Sequence, residues 1–389
     1  MKILVAPYNL LAHYLRSIAL VKNIPNNAEI VFLKSGRYDN FVTANGYKLT
    51  QNTLNTYSTV IEKAASFDFS WINKKSVNRT VNELIEIIKT EKPDYIIGDT
   101  YLGMKIAAEY CNITLISIFN AYLTHHYNDL RPTPHNHKAN KFKSKLSEKS
   151  WNTIVRTVEK LTLRKVHSPF RKIRRKLKLK QYRDLFDEFT GDKNILCDDP
   201  EIFPSIKLPD NYQYCGPLLY SYNVTNQQLL NFLSKDKTRK TILISMGSTG
   251  KITNIGDLKN YFWLNYNIVI TGAKEGKQTE NIYYTDFINF DETSHLIDLI
   301  ICHGGNGTMY QAINKNIPAI AIPTIFEQEW NIHRFEKLSL CKVWYAEQDI
   351  KNLYTLIESL TSTNTLNPNI IKLQTDLNSI ISSIFSKLP

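Results

Sequence analysis

Short apolar runs alternate with stretches of helical spacing in two separate parts of the chain, residues 1 to 118 and 241 to 345, and this doubled alternation sets the fold class. Lys2-Ile3-Leu4-Val5-Ala6-Pro7 and Thr241-Ile242-Leu243-Ile244-Ser245-Met246 are nearly continuous in apolar side chains, as strands buried on both faces of a parallel sheet must be. Parallel neighbours need crossovers, and Val77, Val81, Leu84, Ile85 and Ile88 supply one helical face between two such runs. The expected class is therefore α/β, with two Rossmann-like units. At 389 residues and 43% apolar side chains the chain has enough material for two cores.

The second stretch carries the most specific chemistry. The run Asp298-Leu299-Ile300-Ile301-Cys302 reads as a buried strand, and it opens directly into His303-Gly304-Gly305-Asn306-Gly307-Thr308. Residues 307–314 have helical spacing and stop before Pro318. Glycines let backbone approach a phosphate, and a helix's first turn offers unpaired N–H groups with partial positive charge. His303 and the Thr308 hydroxyl add further hydrogen-bonding groups. After the apolar run of residues 317–323, Glu327 and Gln328 fall on the same rim of the sheet, where their side chains suit sugar hydroxyls. A glycine pair by itself is more often only a tight turn. The order His-Gly-Gly-x-Gly-Thr, helix, strand, Glu-Gln-x-x-Asn is far more specific.

At these residues the sequence resembles the nucleotide-diphospho-sugar glycosyltransferases of the GT-B fold, the family that holds UDP-glycosyltransferases and bacterial macrolide-type enzymes. The resemblance implies two Rossmann-like domains with parallel sheets facing across a cleft. It implies that His303, Gly304, Gly305, Asn306, Gly307 and Thr308 hold the diphosphate, that Glu327 and Gln328 bind the transferred sugar, and that Asn331 supports the phosphate loop. Gly247 and Ser248, after a strand that matches the family's Gly-Ser, would touch the donor, with a plain tight turn as the equal alternative. Gln311 stands where the family has a Glu for the ribose, so those bonds lose their charge. Phe287 and Phe290 are the nearest candidates to stack on the base, against the simpler reading as core residues.

The amino-terminal stretch fits the same family. His13 begins a helix after the first strand, where the family has a Gly-His pair whose His is the general base; here Ala12 replaces the glycine. Asp99 ends the apolar strand of residues 95–99 and matches the Asp that orients that base, while an Asp at such a junction is also a common helix cap. The expected domains are residues 1–218 for the acceptor, a polar linker at 219–240 after Cys215-Gly216-Pro217, and 241–389 for the nucleotide sugar, with the last helix, near 367–385, crossing back.

Charge is concentrated in one segment. Residues 138–183 hold 17 Lys and Arg against 2 Glu, a net of +15 in a chain whose total is +12, so the rest carries −3. In the densest part, 171–180, Ile173, Leu177 and Lys180 lie a turn apart among cations. Such a basic amphipathic helix suits an anionic membrane surface, or else is a solvated face of an acceptor-domain insert. Nucleic acid is disfavoured because aromatics are not interleaved with the cations. Five cysteines, odd in number and mostly in apolar runs, read as reduced core thiols. With no long apolar span and no cleavable leader pattern, the expected location is cytoplasmic, with a peripheral membrane role open.

Together these readings give an inverting transferase that moves a sugar from a UDP-sugar, or alternatively a dTDP-sugar, to a hydroxyl of a small hydrophobic or lipid acceptor, with His13 as base. No cofactor is expected, and no metal, since no Asp-x-Asp pair occurs. The rivals are a nucleotide-sugar epimerase on the same fold and a noncatalytic protein that uses its basic surface on lipid or nucleic acid.

Overall fold

The computed structural model describes residues 1–25, 27–53, 63, 68–247, 252–272, 278–362, 373 and 377–385. It divides into two compact units, Met1–Tyr220 with Gln374–Pro389, and Ser221–Leu373.

The first unit follows the order β1 (Lys2–Pro7), α1 (Leu11–Val21), β2 (Glu29–Lys34), α2 (Asp39–Ala44), β3 (Lys48–Thr53), α3 (Lys74–Glu91), β4 (Tyr95–Asp99), α4 (Met104–Cys111), β5 (Thr114–Phe119), α5 (Glu148–Val166), α6 (Ser168–Lys176), β6 (Lys193–Leu196) and β7 (Tyr212–Tyr214). Its seven parallel strands lie in the order β3-β2-β1-β4-β5-β6-β7. Successive residues of β1 serve opposite faces: Ile3 and Val5 enter one core cluster, Leu4 the other, where it meets Val81, Leu84 and Ile88 of α3. Each such side chain, fully buried, contributes about 1.5–3 kcal/mol. The α3 helix is well delimited, by a reciprocal cap between Asn73 and Ser76 at its start and by left-handed Lys92 at φ 48° at its end.

The basic segment is built differently from its sequence appearance. Ile173 is buried and Leu177 partly so, both within the core cluster under α3, so the apolar side of residues 171–180 faces this protein. Arg174 is wholly buried and donates from Nε and Nη2 to Glu188 at 2.7 and 2.8 Å and from Nη1 to Glu109 at 2.5 Å. A helix whose apolar face and central arginine are so engaged has no free face of that kind for a membrane. The expected docking face at Ile173 and Leu177 is thereby corrected: spacing shows that a helix is two-faced, not what covers the apolar side.

The second unit contains α7 (Gln227–Lys235), β8 (Lys240–Ser245), β9 (Tyr266–Thr271), β10 (Ile282–Thr285), α8 (Phe290–Thr293), β11 (Leu299–Cys302), α9 (Asn306–Asn314), β12 (Ala319–Ala321), α10 (Phe326–Lys337), β13 (Lys342–Val343) and α11 (Ile350–Ser362). The six strands run parallel in the order β10-β9-β8-β11-β12-β13, the same winding as the first unit. Trp263, Leu299, Ile301, Ile320, Trp344 and Leu353 pack into one core.

The expected linker at 219–240 contains a helix. Within it α7 buries Leu229, Phe232 and Leu233, and Asn226 caps it through Leu229 N at 2.9 Å. Its outward Gln, Asn, Ser and Lys residues hid a three-residue apolar stripe. Past α11, the helix α12 (Leu377–Phe385) places Ile380, Ile381 and Ile384 in the first unit's core. Most of the residues before it in the expected terminal helix lie outside the described residues.

Candidate active site

In each unit the winding reverses direction beside its first strand, between β1 and β4 in one and between β8 and β11 in the other. A crevice opens at the strand ends at such a point, because the flanking crossovers leave on opposite faces. Both groups of sequence-selected residues converge there.

In the first unit β1 and β4 are paired to their ends, Pro7 opposite Asp99, and Tyr8 N donates to Asp99 O at 3.0 Å. The chain then turns through residues 8–10 into α1, whose first turn presents His13. His13 Nδ1 lies 2.8 Å from Asp99 Oδ1, and no hydrogen bond is made by its Nε2 among the described residues. The imidazole keeps 19% of its side-chain surface exposed, while the carboxylate is fully buried. One turn along α1, Arg16 Nε donates to Asp99 Oδ2 at 2.5 Å and Nη2 donates to Oδ1, a two-pronged clamp. Arg16 Nη1 also reaches Asn120 Oδ1 at 2.8 Å, and Asn120 Nδ2 in turn donates to buried Asp198 at 3.2 Å.

Electrostatics fix the protonation pattern. Burial alone would raise the Asp99 carboxyl, but the charges of Arg16 and His13 outweigh it and hold Asp99 below the usual carboxylate range. Burial likewise disfavours the Arg16 cation, yet the adjacent Asp99 raises it further above its already high value. An anionic Asp99 can only accept, so its 2.8 Å contact calls for a proton on His13 Nδ1, which in the neutral ring leaves the lone pair on Nε2. Arg16 was not selected from sequence. Its spacing from His13 along one helix face was the available signal, though it acquires meaning only once β4 is paired with β1.

In the second unit, β8 and β11 are paired through Ser245 and Cys302, which puts Gly247 and His303 side by side. The glycines here answer to packing as much as to any ligand. A Cβ on Gly247 would stand 2.4 Å from His303 Cε1, and one on Gly305 would stand 2.4 Å from His303 Nε2. The imidazole is thus seated between two glycine backbones. Gly304, at φ +79°, is closed by Ile332 Cγ2 at 2.4 Å and tied to buried Asn331, whose Nδ2 donates to Gly304 O at 2.8 Å. Gly307 differs from all of these, because a Cβ there meets nothing within 4 Å.

The α9 helix starts at this open spot. Its N-cap is Gly305, no side chain caps it, and no acidic residue stands in its first turn. Backbone N–H groups and the positive end of the helix dipole face outward there. Burial pushes the His303 imidazole down to about 4, only partly offset by the Ser245 carbonyl, which lies 3.5 Å from Nδ1. His303 is consequently neutral at pH 7, and the contact is too long to fix its tautomer.

The remaining selected residues divide. Glu327 is partly exposed in the first turn of α10, whereas Gln328 is buried, its Oε1 accepting from Thr324 N at 2.8 Å and Ile325 N at 3.3 Å. That carboxamide oxygen braces the loop before α10. Gln311 and Thr308 are partly exposed on α9. Phe287 and Phe290 are likewise partly exposed, and Phe287 lies 5.3 Å from the Tyr222 ring. Ser248 lies outside the described residues.

A further cluster was missed because its members are far apart in sequence. His125 Nε2 lies 2.9 Å from Asp184 Oδ1 and 3.5 Å from Asp187 Oδ1. Both carboxylates already serve a turn, Asp184 accepting from Phe186 N at 3.2 Å and Asp187 from Arg183 N at 2.9 Å. Burial lowers the His125 imidazole, but hydrogen bonds to the two aspartates more than compensate and raise it. That arrangement favours a protonated histidine over a metal ligand. The five cysteines are free, with Cys111 half-buried and the others buried. No described helix is long and apolar enough to cross a membrane.

Two parallel sheets of identical winding, each with its loaded switch point, define a GT-B fold. Comparison with known proteins agrees. Residues 226–380 match the glycosyltransferase family 28 C-terminal domain. A PGL/p-HBAD biosynthesis glycosyltransferase of Mycobacterium tuberculosis is 24% identical over 337 residues, covering 84% of this chain and 76% of that protein. The kitacinnamycin glycosyltransferase structure superposes with a TM-score of 0.69 at 14% identity, covering 100% of this chain and 99% of that one. A Streptomyces sp. SF2575 glycosyltransferase complexed with thymidine diphosphate superposes with a TM-score of 0.66, also at 14% identity, over 99% of both chains. The chain has the GT-B fold, residues 226–380 are similar to the C-terminal domain of family 28 glycosyltransferases, and the protein is a glycosyltransferase that depends on a nucleotide sugar.

Proposed function

We propose that this enzyme transfers its sugar with inversion, His13 acting as general base on the acceptor hydroxyl. The observation that carries the reading is the His13–Asp99–Arg16 constellation, with Nδ1 committed to a buried carboxylate and Nε2 without a hydrogen bond among the described residues. Nε2 takes the hydroxyl proton while the acceptor oxygen bonds to the anomeric carbon. The bond from that carbon to the diphosphate oxygen breaks, and the nucleoside diphosphate leaves with its electron pair. A single displacement inverts the centre. Asp99 stabilises the imidazolium formed, and Arg16 keeps Asp99 ionised and oriented as a positioning residue.

The donor diphosphate is taken by the first turn of α9 with Gly307 and Thr308, beside His303. Negative charge grows on that group as the bond breaks, and fixed N–H dipoles meet it without reorganising. A neutral His303 donates one hydrogen bond and does not act as a permanent cation. Glu327 suits the sugar hydroxyls, while Gln328 and Asn331 hold the loops that frame them. The nucleotide is a uridine or thymidine diphosphate, the latter favoured by the relative that holds it. The acceptor is a small hydrophobic or lipid molecule with a free hydroxyl, as the relative named for PGL/p-HBAD biosynthesis suggests.

A thermal-shift panel of UDP, TDP and GDP with their sugars tests the donor site, because a ligand of the folded state raises the melting temperature by mass action. A rise with one nucleotide that disappears in His303→Ala is the expected outcome. No rise with any nucleoside diphosphate would refute the site.

A further inference from the structure

An apolar patch ringed by cations lies on α5 and the residues just before it, none of which belongs to either switch point. Along α5, Ile154, Val158 and Leu161 recur at the spacing of one helix face and are 44, 55 and 59% exposed. Another side of the same helix is anchored, with Leu163 and Val166 packed against the core cluster under α3 and Glu159 accepting from Arg131 Nη1 at 2.6 Å. Just before α5, Phe142 and Leu146 are 48 and 40% exposed. The Phe142 ring has Lys141 and Lys145 ammonium groups 5.1 and 6.0 Å from its centroid. Every residue from 141 to 150 is exposed.

Exposed large apolar side chains rimmed by charge mark an interaction surface. Residues 138–166 carry 9 Lys and Arg against 2 Glu, and one of those, Glu159, is already paired with Arg131. A second copy of this chain would bring like charge to like charge. Nucleic acid would gain nothing from Ile154, Val158 and Leu161, and within residues 138–166 Phe142 is the one exposed aromatic for stacking. What satisfies both halves of the pattern is a surface with anionic headgroups and an apolar layer beneath. There aliphatic side chains bury while ammonium groups stay at headgroup level.

We propose that Phe142, Leu146, Ile154, Val158 and Leu161, with the surrounding lysines, dock this enzyme on an anionic lipid bilayer. The inference is independent of the transfer chemistry, since its readout is vesicle binding and needs no turnover. Each cation brought to such a surface strengthens binding by a factor of about five. Co-sedimentation of the full chain with phosphatidylcholine vesicles, with or without phosphatidylglycerol, is the test. Binding to the mixed vesicles, absent with phosphatidylcholine alone and weakened by salt, is expected. Lys141→Gln with Lys143→Gln and Lys145→Gln should weaken it by ~100-fold. Ile154→Ser with Val158→Ser and Leu161→Ser should abolish retention at high salt, with an unchanged melting temperature showing that the fold survives. Parent protein that stays in the supernatant with mixed vesicles overturns the proposal, as does equal binding by both variants. Retention on RNA but not on vesicles, or a parent dimer that the serine variant loses, overturns it too, in favour of nucleic acid or a second copy.

Discussion

The two switch points occupy the same place in two sheets of the same winding, yet they are furnished in opposite ways. The first is a knot of charge, a buried carboxylate held between an imidazole and a guanidinium. The second is nearly bare, an imidazole pressed between glycine backbones beside an uncapped helix start. Topology supplies the crevice in both. What differs is whether side chains or backbone line it. A proton must be held at one atom by groups that tune it, whereas a diphosphate is a broad anion better met by several N–H dipoles with room around them.

The largest expected effect breaks the pair apart functionally. His13→Ala should lower kcat by on the order of 10²- to 10⁴-fold, as loss of a general base does, and leave nucleotide affinity unchanged. Single-turnover rates together with nucleotide titration would check both halves. A fall in nucleotide affinity equal to the fall in rate would mean that the two sites do not divide the work, and the contrast would fail.

Next comes the seat of His303. Gly305→Ala puts a methyl group where the ring now sits, and a clash of that depth costs about 1–3 kcal/mol through displacement of ring or loop. Nucleotide affinity should fall ~10-fold or more, each 1.4 kcal/mol being tenfold, measured by calorimetry. Unchanged affinity would show that the ring's position is immaterial to the donor.

These two sites were legible in sequence to different degrees, and for a physical reason. His303 to Thr308 stand out in the sequence because a glycine-rich turn into a helix start is built from contiguous residues, so its signal is local. His13 and Asp99 meet only through the pairing of β1 with β4, and Arg16 joins them only because α1 packs across the end of β4, which spacing within α1 cannot reveal. The basic run of residues 171–180 misled in the same way: Glu109 and Glu188, which pair with Arg174, come from elsewhere in the chain. Helix α7 was overlooked because its apolar stripe is only three residues long.

Acid should also separate the sites. His303 is held near 4 when folded against about 6.5 for a free imidazole, so the unfolded chain binds a proton that the folded chain refuses. Stability from this group is whole above pH 6.5 and is lost as pH falls toward 4, by on the order of 1–3 kcal/mol. Asp99 has the same sense in a lower window, its contribution present above the normal carboxylate value and lost as pH falls through its depressed one. Between pH 7 and 5 the parent should therefore lose more stability than His303→Gln, while Asp99→Asn should change the slope only below that range. Urea titrations at the two pH values measure it. Equal losses in parent and His303→Gln would show that the imidazole is better solvated than its setting implies.

The smallest effect is the sharpest discriminator. Gly307 lies in the first turn of α9 with nothing within 4 Å of where a Cβ would go, unlike Gly247, Gly304 and Gly305. Neither packing nor backbone conformation therefore demands glycine, and Gly307→Ala should raise stability by up to ~1 kcal/mol through helix propensity and a less flexible unfolded chain. If the space is reserved for a diphosphate, the same methyl group must stand in its way, and nucleotide affinity should drop ~10-fold while the protein becomes more stable. The opposite signs matter, because damage to the fold lowers both quantities together and cannot imitate them. A more stable variant that binds nucleotide as well as the parent would mean that the anion lies elsewhere, and the bare switch point would have to be explained by the seating of His303 alone.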